Sequence, residues 1–115
     1  MTYREARCRF SEALAELILH ARDLGYEAAF NEVMDRVTEK DPTTDHMPGS
    51  LHELGLAADL DLYKDGKYLS ATEDHRVLGS WWIARGRNLG LPLAWGGEFT
   101  KPDGNHYSIT WSGRR

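Results

Sequence analysis

The order of hydrophobic patterns along this chain predicts an α+β fold: a single domain with a small antiparallel sheet flanked by helices. Three observations support it: a helical periodicity from Phe10 to Leu24, a period of two over Ala57 to Tyr63 and again over His106 to Trp111, and a second helical pattern between them. Strands interrupted by only one helix suit an antiparallel sheet better than a parallel one. No internal repeat or low-complexity stretch divides the chain, and 115 residues are enough for one hydrophobic core but not two.

The first element places Phe10, Leu14, Leu17, Ile18, Ala21 and Leu24 on one helical face, with Arg, Glu and Asp between them, and it should end near Gly25. Tyr26 to Met34 is short and carries aromatic and β-branched residues, so a strand is expected despite Ala28 and Ala29. Asp35 to Ser50 is polar and broken by Pro42, Pro48 and Gly49, which reads as a long loop. From Ala57 to Tyr63, Asp59 and Asp61 point to one face and Ala58, Leu60 and Leu62 to the other, the pattern of a strand with an apolar back. Asp65-Gly66 signals a turn, and Lys67 to Leu69 is the expected hairpin partner. Ser70 and Glu73 have the spacing of a capping box, opening a helix through Leu78, Trp81, Trp82 and Leu89 that stops at Gly90. In the last strand Tyr107, Ile109 and Trp111 should be buried, with His106 on the opposite face.

Composition narrows the function classes. A hydrophobic fraction of 41% with four Trp, five Tyr and three Phe indicates a packed interior rather than disorder. A formal net charge of -4 is a poor match to nucleic acid, which selects basic surfaces. Cys8 is the only cysteine, so an intrachain disulfide, a Cys-rich zinc knuckle and a Cys-x-x-Cys redox pair are all excluded, and a structural place in the first helix is expected for it. The charged N-terminus lacks the apolar run of a secretory signal, and no segment reaches transmembrane length. Cytoplasmic accumulation without stable membrane insertion is the corresponding expectation.

Chemistry concentrates in two segments. His52, Asp59 and the distant His106 can supply three protein ligands to one catalytic zinc and leave its fourth position for water; Asp103, three residues before His106, would then be the base. His52 and Asp59 are seven residues apart, an odd offset that cannot share one strand face. A turn at Gly55 would let His52 fold over the strand bearing Asp59. Taken alone, the same pair also fits a surface loop followed by a solvated strand carboxylate. The second His of a His-Glu-x-x-His site is absent after His52-Glu53.

The full string is more specific. Ser50, His52, Gly55, Ala57, Asp59 and Leu60 resemble the Ser-x-His-x-x-Gly-x-Ala-x-Asp-Leu signature of the D-alanyl-D-alanine carboxypeptidase-like zinc peptidases. Trp95-Gly96-Gly97-Glu98-Phe99, followed by Asp103-Gly104-Asn105-His106-Tyr107, resembles the C-terminal motifs of their L-alanyl-D-glutamate peptidase branch, familiar as bacteriophage endolysins. The resemblance implies the hedgehog/D-Ala-D-Ala peptidase fold, with His52, Asp59 and His106 as zinc ligands and Asp103 as catalytic base. It also implies hydrolysis of the L-alanyl-D-glutamate bond of the peptidoglycan stem peptide, lysing a bacterial host. Action on the wall would follow membrane permeabilisation by a holin-type exit route, and a monomer with no separate cell-wall-binding domain is expected.

Glu32 to Arg36 resembles the family's Glu-x-x-Arg segment with one extra residue, which makes Arg36 a candidate for binding a substrate carboxylate through its guanidinium fork. Ser50 is expected to brace the ligand loop by hydrogen bonding. Trp95 is a candidate floor for the substrate groove, and Glu98 a fallback base. Asn105 and Tyr107 replace the family's usual Pro and Phe. His20, His46 and His75 read as surface or capping histidines, and Asp61 as a solvated carboxylate or an acceptor behind the ligands. Two other functions use the same residues: a D-Ala-D-Ala carboxypeptidase or dipeptidase, and a non-catalytic zinc-stabilised wall-binding domain.

Overall fold

The computed structural model describes residues 1–32 and 50–115. Its elements are α1 (Tyr3–Asp23), β1 (Glu27–Glu32), β2 (Ala57–Lys64), β3 (Lys67–Leu69), a 3-10 turn (Thr72–His75), α2 (Arg76–Leu89), β4 (Leu93–Trp95), a second 3-10 turn (Gly96–Glu98) and β5 (His106–Ile109). The architecture is α+β, as expected. All strand pairings are antiparallel, in the order β1-β2-β5-β4, with β3 paired to the far end of β2.

α1 starts earlier than its apolar stripe. Thr2 accepts from the Glu5 amide, and the Glu5 carboxylate accepts from the Thr2 amide, a reciprocal cap that satisfies two otherwise orphaned donors. Phe10, Leu14, Leu17 and Ala21 are buried on the core face, whereas Leu24 lies past the helix end and is exposed. Cys8 is exposed rather than packed inside. β2 alternates as expected: Ala58, Leu60 and Leu62 are buried in the hydrophobic core, while Asp59, Asp61 and Tyr63 are half-buried on the open face. Asp65 and Gly66 both adopt positive φ, 51° and 76°, the conformation that closes a two-residue hairpin with the twist of its strands.

The second helix begins differently from the Ser70/Glu73 reading. Ala71 stands at the N-cap, and its amide donates to the Asp74 carboxylate at 3.0 Å. Glu73 instead grips Arg76 through two hydrogen bonds of 2.6 and 2.8 Å. A 3-10 turn therefore precedes the regular helix, which ends at Gly90 as predicted. β4 was not anticipated; three residues are too few for a periodicity to register. β5 ends at Ile109, short of Trp111, because the Thr110 amide turns to the Pro92 carbonyl. The expected end of the first strand at Met34, the loop over 35–49, Arg36 and His46 lie outside the described residues.

α1 and α2 cover one side of the sheet, tied together by the fork of Arg85 on Glu16 at 2.6 and 3.2 Å. Trp82 is wholly buried at the centre, edge-on to both Phe10 and Tyr107, with its indole N–H donating to the Ala94 carbonyl. No helix among the described residues is long and apolar enough to cross a membrane.

Candidate metal centre

Asp59 and His106 are directly opposed across β2 and β5, so the sheet register alone sets them side by side on one face. His52 reaches the same point from the turn before β2. That turn is closed by the Glu53 amide on Ser50 O, the Gly55 amide on His52 O and the Leu56 amide on Leu51 O, and it passes through Gly55 at φ 71°. A side chain at that angle would be strained, which is why glycine resolves the odd spacing. Buried Leu51 and Leu56 anchor the turn in the core, and the Tyr3 hydroxyl of α1 holds the Leu54 carbonyl at 2.5 Å.

The three side chains converge. His52 Nε2 is 3.2 Å from His106 Nδ1 and 3.4 Å from Asp59 Oδ1, and His106 Nδ1 is 3.6 Å from the same oxygen. Bonds of 2.0–2.2 Å to a tetrahedral ion imply ligand-to-ligand edges of about 3.3–3.6 Å. The observed sides of 3.2, 3.4 and 3.6 Å match that range to about 0.1 Å. Both histidines are buried, and Asp59 Oδ1 is buried with no hydrogen-bond partner among the described residues. A carboxylate oxygen in that position needs a cation to offset its desolvation. The His52, Asp59 and His106 group can therefore hold a metal ion.

The segment that follows β4 explains the Trp-Gly-Gly motif. Gly96 O accepts from the amides of both Phe99 and Asp103, and Asp103 O accepts from the His106 amide. A Cβ at Gly96 would overlap the Asp103 carbonyl oxygen and stand 2.8 Å from His106 Cβ. Trp95 is buried rather than open to a groove: its indole N–H donates to Gly104 O at 2.7 Å and the Arg76 guanidinium lies 5.3 Å from its ring centre. Trp95 thus supports the Asp103-to-His106 loop from beneath. The side chain of Asp103 is exposed, as is that of Glu98. Phe99 packs beside the His106 ring with centroids 5.3 Å apart. The Ser50 hydroxyl is buried but makes no hydrogen bond among the described residues; it is the Ser50 carbonyl that braces the turn.

His75 was expected at the surface and is instead buried. Its Nδ1 lies 3.0 Å from the hydroxyl of Tyr107, the neighbour of His106 on β5. A buried tyrosine hydroxyl requires such a partner, and the inward-turned His75 supplies it to Tyr107. No local pattern could reveal this, because the two residues meet only across the fold. His20 stacks on half-buried Trp81 at 4.5 Å.

Burial pushes the His75 pKa below its ordinary 6.5, outweighing Asp74, the hydrogen bond to the Leu69 backbone, Asp103 and Asp61, all of which pull it upward. The unfolded chain then binds a proton near pH 6.5 that the folded chain refuses. The stability this histidine contributes is complete above that pH and is lost as pH falls through the lowered folded value. The unfolding free energy of the wild type should therefore drop between about pH 7 and pH 5 by more than that of His75→Gln, as read by denaturant titration. Parallel curves would show that His75 does not contribute.

The fold and the site together define an α+β domain that opposes an aspartate and a histidine across two strands and brings a second histidine to them from a turn. Among solved structures, the fold is similar to that of the L-Ala D-Glu endopeptidase ChiX of Serratia marcescens, with a TM-score of 0.65 and 20% sequence identity over 84% of this chain and 77% of that one. The sequence matches no protein-family model and no curated protein.

Proposed function

We propose that this protein is a zinc-dependent peptidoglycan peptidase that hydrolyses the L-alanyl-D-glutamate bond of the stem peptide, and that it serves as an endolysin. The observation that carries the reading is the triangle of His52 Nε2, Asp59 Oδ1 and His106 Nδ1, with sides of 3.2 to 3.6 Å, on a fold similar to that of an L-Ala D-Glu endopeptidase. Two neutral imidazoles and one carboxylate suit zinc, and three protein ligands are the number that hydrolytic sites use. When bound, zinc supplies Lewis acidity toward a carbonyl oxygen and toward water.

The chain's own residues supply the rest. Asp103, exposed at the start of the loop that delivers His106, takes the proton from water and returns it to the leaving amine. Gly96 and Trp95 hold that loop in place. Arg36 binds a substrate carboxylate in this reading. Asp103→Asn should retain zinc and lose about 10²–10⁴-fold in kcat, the usual contribution of a general acid/base. Near-wild-type turnover with zinc bound would remove Asp103 from the role of base.

Mass spectrometry of digested peptidoglycan, with and without a zinc chelator, tests the function as a whole. New L-Ala termini that disappear on chelation are expected. Released D-Ala would indicate a carboxypeptidase, and wall binding without any cleaved product would indicate a non-catalytic domain. Hydrolysis that survives exhaustive chelation would refute the metallopeptidase reading.

A further inference from the structure

β2 presents a second carboxylate on the face that bears Asp59. Asp61 lies two residues further along, about 6.6–6.8 Å in an extended strand, and shares the open side while Leu60 and Leu62 point into the core. Its Oδ1 accepts two hydrogen bonds, from Asn31 Nδ2 and from the Tyr68 hydroxyl, each at 3.3 Å. Asn31 owes its position to a bulge: the β1–β2 register jumps between Phe30 and Glu32, leaving Asn31 as the extra residue. Bulges of this kind re-aim a side chain, often beside a functional site.

Both donors are neutral and both fall on one oxygen. Among the described residues Asp61 has no cationic partner, and its Oδ2 has no hydrogen bond. The negative charge of Asp61 also raises the Tyr68 pKa, which keeps the phenol protonated as a donor to it. Asn31 and Tyr68 are exposed and Asp61 is half-buried, so the cluster is open to a ligand while its geometry is held. An oriented carboxylate with an unused oxygen and uncompensated charge selects a cationic hydrogen-bond donor.

We infer that Asp61, held by Asn31 and Tyr68, is a subsite for the primary ammonium group of a diamino-acid residue lying about two residues along the peptide from the bond cleaved at His52, Asp59 and His106. The inference rests on the peptidase reading above. The γ-linked D-Glu makes the path longer than two α-linked residues, and the flexible diamino-acid side chain lets its ammonium group fold back over the Asp59-to-Asp61 step along β2.

The test compares the tripeptide L-Ala-γ-D-Glu-L-Lys with its Nε-acetyl counterpart, by cleavage with the zinc-loaded wild type and by calorimetric binding to zinc-loaded Asp103→Asn protein. A preference of about 10-fold for the free amine is expected, in the range of one charge-assisted hydrogen bond at a partly exposed site. Adding Asp61→Asn, which keeps the shape and an acceptor oxygen, should reduce the preference below about twofold. Asp65→Asn, the same charge change in the exposed β2–β3 turn, should leave it intact. Equal binding of the two peptides, no measurable binding of either, or a preference that survives Asp61→Asn overturns the subsite. An Asp61-dependent preference in binding with no cleavage of either peptide would instead refute the peptidase reading and leave the subsite standing.

Discussion

If the protein is the zinc peptidase proposed above, His106→Ala abolishes high-affinity zinc binding and lowers kcat/KM by about 10³–10⁴-fold, because the several kcal/mol of transition-state stabilisation that a zinc ion supplies is lost with it. His106 contributes one corner of the triangle, 3.2 Å from His52 Nε2 and 3.6 Å from Asp59 Oδ1. Without it two ligands remain, one fewer than hydrolytic zinc sites use. A binding readout separates this from general damage: added zinc should raise the Tm of the wild type, since a ligand that binds only the folded state stabilises it, and should leave the Tm of His106→Ala unchanged. His52→Ala should behave in the same way. A zinc-dependent rise in Tm that persists in both variants would place the ion elsewhere.

Gly96→Ala is the second large expected effect, and it arises without touching a ligand. The added methyl would overlap the backbone oxygen of Asp103 and crowd His106 Cβ at 2.8 Å, so the loop between them must move. Overpacking of this kind costs about 1–3 kcal/mol, and here the displaced atoms carry both the proposed base and a proposed metal ligand. Weaker zinc binding and a loss of more than about 10²-fold in kcat/KM are expected, since a 1 Å misplacement of catalytic groups has a cost of that order. Competition with a chromophoric chelator measures the first and peptide hydrolysis the second. Wild-type zinc affinity in Gly96→Ala would mean that the loop is not held by this contact.

The same region shows how far local pattern reaches. Asp59 and Asp61 are placed on the open face by the period-two alternation of β2, and the Asp65-Gly66 hairpin follows from residues that tolerate positive φ. Gly90 ends α2 for a related local reason. Elsewhere local signals competed. Ser70 and Glu73 have capping-box spacing, yet Asp74 satisfies the Ala71 amide because Glu73 is engaged by Arg76. Trp95 beside two glycines suggested an open groove, whereas the glycines are required because the Trp95 ring and the Asp103 loop press against them.

Metal-ligand chemistry was legible in the residue types and order of His52, Asp59 and His106, since imidazole and carboxylate are what an ion such as zinc binds. The turn at Gly55 that folds His52 over Asp59 was legible too, but the register that sets Asp59 opposite His106 was not, because it is a consequence of long-range packing. The inward turn of His75 toward Tyr107 and the bulge that brings Asn31 to Asp61 belong with that register. Backbone periodicity reports which face a residue occupies, but a contact between distant residues exists only once the sheet has paired and the core has closed around it.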